Sequence, residues 1–94
     1  MDAFEIEVLG MVSNDYEAIH TIRSDLEREL ARPVSPEEVG SALASLSEAG
    51  LVDAFVFDPS LRNYRKVVAN ANSVGDLWFL INSAGHAEYD RLVA

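Results

Sequence analysis

The residues best equipped for chemistry in this chain are few and scattered. His20 and His86 each stand without a second His or any Cys at ligand spacing, so a metal ion would have to gather carboxylates from unrelated elements. Solvated or hydrogen-bonded histidines are the plainer reading. Glu27 with Glu29, and Glu37 with Glu38, are acidic neighbours on helical segments, whose side chains diverge, and nothing in the sequence suggests that they are buried as a catalytic pair. The chain contains no Cys, which removes thiolate metal sites, disulfides and cysteine nucleophiles together. It shows no glycine-rich phosphate loop and no nucleophile–base constellation. No catalytic residue, metal or cofactor is assigned, and the expectation is a non-enzyme.

One cluster has binding chemistry. Arg62, Arg65 and Lys66, interleaved with Tyr64, form the local pattern of a phosphate-contacting loop or strand. Three cations on a loop also simply balance acidic surroundings. The surroundings are acidic indeed: the net charge is −9 over 94 residues. Residues 1–50 hold eleven Asp or Glu against three Arg, and residues 51–94 hold five against four basic residues. A field of that sign repels nucleic-acid phosphate at long range, although a local basic patch can still act at close quarters.

With 49% hydrophobic residues and a mean hydropathy of +0.05, the chain is expected to bury one core as a single domain, residues 1–94. The first residues are acidic rather than leader-like, and the longest strongly apolar run, Leu77 to Ile81, is far shorter than a membrane span. A soluble cytoplasmic protein is the expectation.

The elements that would position these residues follow from periodicity and caps. Phe4, Val8, Met11 and Val12 mark one stripe of a first helix over about 2–12. Ile6 and Leu9 fall on nearly its opposite side. Such a helix needs two neighbours, and Ile6, Leu9, Tyr89, Leu92 and Val93 make a candidate dimer surface. Burial of both sides within one monomer is the equal alternative. Asn14 and Glu17 have capping-box spacing, and Tyr16, Ile19, Ile22, Leu26 and Leu30 predict a second helix over about 15–31, stopped by Pro33.

Ser35-Pro36-Glu37-Glu38 combines a cap, a proline at the first helical position and a capping-box Glu. It predicts a third helix with Val39, Ala42, Leu43 and Leu46 buried, closed by Gly50. Asp53 to Phe57 reads as a strand, Asp58-Pro59-Ser60 as a turn and Leu77 to Ile81 as a second strand. Tyr64 to Val68 is open between a third strand and an irregular excursion, and Asn70 to Ser73 with Gly75-Asp76 reads as loop. Asn82 caps a last helix over about 83–93.

Two segments, EVGSALASLSEAGLV and WFLINSAGHAEYDRL, resemble the third helix, its exit into the wing, and the strand and final helix of winged helix-turn-helix transcriptional regulators of the MarR and PadR type. The chain departs from that pattern in having Asn82-Ser83 where Thr-Pro is frequent, and His86 where a basic residue is common. The resemblance implies an α+β fold: a winged helix-turn-helix of three helices, a β-hairpin wing and a C-terminal helix.

It also implies that the third helix meets the partner. The face opposite that helix's buried stripe shows Glu37, Ser41, Ala44, Ser45 and Glu48, with none of the Arg, Lys, Asn or Gln that read base edges in a major groove. Two functions therefore compete. The leading one is an acidic winged-helix regulator or adaptor that works through protein–protein contacts on this face. The alternative is a DNA-binding transcriptional regulator, acting as a dimer, that grips phosphates with Arg62, Tyr64, Arg65 and Lys66 of the wing. A solvated face without a partner is the plain alternative to both.

Overall fold

A computed structural model describes residues 1–69 and 74–94. The predicted loop at 70–73 lies outside the described residues. The chain is an α+β protein in which, among the described residues, four helices accompany a four-stranded antiparallel sheet. The helices are α1 (Ala3–Met11), α2 (Ile19–Leu30), α3 (Pro36–Glu48) and α4 (Ser83–Val93). The strands are β1 (Glu17–Ala18), β2 (Val52–Asp58), β3 (Asn63–Val67) and β4 (Trp78–Ile81), with a short 3-10 turn at Val74–Asp76.

Local signals account for three of these four helix starts and for the end of α3. Asp2 and Glu5 form a reciprocal capping box on α1, and Ser35 and Glu38 form another on α3, with Pro36 opening the helix. The Asn82 side chain accepts a hydrogen bond from the Gly85 amide at 2.9 Å and starts α4. Gly50 takes the left-handed conformation, φ 76°, that ends α3 and turns the chain into β2.

The start of α2 differs from the capping box expected at Asn14 and Glu17. The cap is Ala18, with no side-chain hydrogen bond, and Glu17 belongs to β1. The reason is tertiary: Glu17 and Ala18 pair with Phe79 and Trp78 of β4, so the backbone there is extended and the helix begins later. Tyr16, expected on the helical stripe, lies before β1 instead.

The sheet order is β1-β4-β2-β3. The open question at Tyr64 to Val68 resolves to a strand: β2 and β3 form a direct hairpin, from Ala54↔Val67 to Asp58↔Asn63. The strand ending at Ile81 therefore does not close a simple hairpin with β2. It returns to β2's other edge and sits between β1 and β2.

Alternation along the strands gives the sheet two unlike faces. Val52, Ala54, Phe79 and Ile81 turn inward and share one core with Val8, Leu9 and Val12 of the α1 segment, Ile22 and Leu26 of α2, and Val39, Leu43 and Leu46 of α3. Phe55, Phe57 and Trp78 turn the other way. The Ile81 amide donates to the Val12 carbonyl at 2.9 Å, fastening the end of α1 to β4. Among the described residues no helix is long and apolar enough to cross a membrane.

Candidate functional site

The α3 face is the first candidate, and its setting comes from the α2–α3 pair. After α2 the chain turns through Ala31, in the left-handed conformation, and buries Val34, whose amide donates to the Glu27 carboxylate at 3.1 Å. Arg32 pairs with Glu38 at 3.4 Å and lies 5.6 Å from the centre of the Phe4 ring. The backbone amide of Ser35 donates to Glu38, and this hydrogen bond, reinforced by the Arg32 charge, holds the Glu38 carboxyl below its usual range.

These contacts fix α3 so that Ser41 and Ser45 are exposed along its crest. A groove runs on each side. The larger, about 680 Å³, has Ile19, His20 and Arg23 of α2 as one wall and Glu37, Ser41, Ser45 and Glu48 as the other, with Gly40 and Ala44 also in its lining. The smaller, about 350 Å³, lies toward Phe4 and Arg32 and again borders on Ser41 and Ser45. Four of the five expected face residues, Glu37, Ser41, Ser45 and Glu48, are exposed; Ala44 is buried and belongs to the packing beneath the crest.

Carboxylates dominate the rims. Glu37 and Glu48 border the larger groove, and Asp2, Glu5 and Glu38 the smaller one. Against them stand Arg23 and Arg32, of which Arg32 is engaged by Glu38. Glu17, at the foot of α2, has its pKa raised, chiefly by desolvation and further by the charges of Asp25 and Asp15.

The basic cluster sits on the β2–β3 hairpin and is not one patch. Arg62 is in the connecting turn with φ 51°, a left-handed position. Asp58 builds that turn by accepting from the Ser60 amide at 3.0 Å and from its hydroxyl at 2.6 Å, and these bonds, led by the hydroxyl's, lower the Asp58 pKa. Arg65 is opposite Val56, and so on the helix side of the sheet, whereas Tyr64 and Lys66 are opposite Phe57 and Phe55 on the outer side. Lys66 Nζ lies 3.5 Å from Asp53, and no ion pair involves Arg62 or Arg65 among the described residues.

Tyr64 is part of a cluster that reading along the chain does not bring together. Its ring stacks on Tyr16 at a centroid distance of 3.9 Å and meets Phe57 at 5.4 Å and Trp78 at 5.6 Å, while Tyr16 meets Phe55 edge-on at 4.9 Å. Five of the eight aromatic residues thus line the sheet's outer face, with Phe57 half exposed. The spacing of Phe55 and Phe57 by two in a strand was the available signal; Tyr16 and Trp78 join them only through the fold.

One residue of the surface expected for a dimer is not available to a second copy. Leu9 is fully buried in the monomer core, because α1 is covered on both apolar sides by its own chain. Tyr89 of α4 lies over Gly10, where an added Cβ would stand 2.8 Å from the Tyr89 hydroxyl. Ile6, Tyr89 and Leu92 are half buried and Val93 is exposed, which leaves only a fringe.

No family model and no curated protein matches this chain.

Proposed function

We propose that the chain is a winged-helix adaptor or regulator that docks a basic amphipathic helix of a partner protein along the crest of α3. The observation that carries this reading is the shape and charge of that crest. Ser41 and Ser45 form a low ridge of small residues between two grooves, and such a ridge suits a helix packed ridge-into-groove. The rim carboxylates select a cationic partner and oppose phosphate.

The fold reading is supported by the α2–turn–α3 pair, by β1 pairing with β4 beside β2, and by the projecting β2–β3 hairpin. In this frame α3 occupies the place of a recognition helix. Its exposed face offers no Arg, Lys, Asn or Gln to a base edge.

The test uses Ser41→Arg and Ser45→Arg, which are exposed, rather than a change at buried Ala44. A photoreactive side chain placed at Ser45 should capture a protein at a cationic helix, and either Arg variant should abolish capture with an unchanged melting temperature. Duplex DNA titrated at low salt provides the opposing measurement. Binding lost in Arg65→Glu with Lys66→Glu, but kept in Ser45→Arg, would overturn the reading in favour of a wing-first DNA binder.

A further inference from the structure

The β2–β3 hairpin has a feature that the α3 surface does not use. Among the described residues β3 ends the sheet on one side, so a row of its main-chain N–H and C=O groups points away from β2. That edge is basic on an otherwise acidic molecule: Arg65 and Lys66 lie on the strand itself and Arg62 just before it, and β3 contains no carboxylate.

We infer that the free edge of β3 takes up an acidic extended segment of a partner protein as an added strand. Main-chain pairing supplies the docking, and the side chains of β3 supply the selection. Tyr64 and Lys66 point to the outer face, where Tyr64 continues the aromatic layer of Tyr16, Phe55, Phe57 and Trp78; Arg65 points to the helix side. An incoming strand therefore meets an aromatic ring at one position, a guanidinium at the next and an ammonium at the third. The complementary triplet is apolar, acidic, acidic, reversed if the strands run antiparallel.

Charge decides among occupants. A second copy pairing β3 antiparallel to β3 about a two-fold axis centred on its basic residues would set Arg65 against its own equivalent or against Lys66, and like charges on facing strands are destabilising. A nucleic acid would meet the aromatic layer but would bring a phosphate at every nucleotide into the field of the whole chain, net −9, whereas a short peptide with two carboxylates brings far less charge into the same field. An acidic peptide is attracted by the edge and, extended along five residues, stays on it.

The probe is the end-capped hexapeptide Thr-Val-Glu-Glu-Val-Thr, which holds the triplet in both directions, titrated into the intact chain. Trp78, the sole tryptophan and part of the aromatic layer, reports on the outer face by its emission. The expected result is a Trp78 emission change, slowed amide exchange confined to residues 63–67, and at least tenfold weaker binding after Arg65→Glu with Lys66→Glu. Two peptides N-methylated on alternate amides separate main-chain pairing from charge alone, and one of them should fail. Four results would overturn the inference: no slowing at β3, equal binding by the Lys-for-Glu peptide, retained binding by both methylated peptides, or a concentration-dependent dimer that Arg65→Glu strengthens. A response at α3 in place of β3 would also overturn it, without touching the proposal for that helix.

Discussion

Single positions already carry measurable consequences. Glu17 is held partly out of water near Asp15 and Asp25, so its folded-state pKa is raised. For an acid with that shift the native state binds more protons than the unfolded chain, and stability falls as pH rises from the ordinary carboxylate value through the raised one. Glu17→Gln should therefore raise the melting temperature at pH 7 and leave it unchanged near pH 3, where both states carry the proton. Equal melting temperatures at pH 7 would contradict the assigned burial. Gly85 is constrained by space: a Cβ there would stand 2.1 Å from the Leu51 carbonyl oxygen and 2.6 Å from Ile81. Gly85→Ala should cost about 1–3 kcal/mol in urea unfolding, because backbone on the facing segment has to retreat. The same junction shows Asn82 Nδ2 donating to the Gly50 carbonyl at 2.9 Å, so the α4 cap also braces the exit of α3.

At the scale of elements, β3 is an outer strand of the sheet. Among the described residues β3 is hydrogen-bonded to β2 alone, and it holds to the body of the protein through Tyr64 against Tyr16 and Trp78 and through Val67 against the core. Tyr64→Ala should speed amide exchange in β3 by about tenfold or more, equivalent to about 1.4 kcal/mol or more, while the core helices α2 and α3 keep their protection. Uniform loss of protection would show that the hairpin is part of the global unfolding unit. The elements also divide by how readable they were. Ser35 with Glu38, Gly50 and Asn82 were legible because capping is settled within a few residues of chain. Asn14 and Glu17 matched the same spacing, yet strand pairing with β4, more than sixty residues away, outweighs it. β3 carried no alternating apolar signal, since Asn63, Arg65 and Lys66 are all exposed and only register with β2 makes it a strand. The exposed side of α3 was readable from its helical period, with Ala44 as the exception; the grooves beside it were not, because their far walls come from α1 and α2.

At the scale of the whole molecule, charge and strand order set the behaviour. Eleven carboxylates against three Arg in residues 1–50 press on one another in the folded state. Raising sodium chloride from about 10 to about 150 mM shortens the Debye length from about 30 to about 8 Å, and should raise the melting temperature. A flat or falling dependence would mean that the local pairs, Arg28 with Asp25 and Arg32 with Glu38, outweigh the summed repulsion. The order β1-β4-β2-β3 has a consequence in time. β4, which fills the gap between β1 and β2, is the last of these four strands to be synthesised, so a nascent chain on the ribosome presents β1 and β2 with their facing edges still vacant until Ile81 has emerged. Closure of this sheet therefore waits for β4, and the interval before it is when the chain most needs a chaperone.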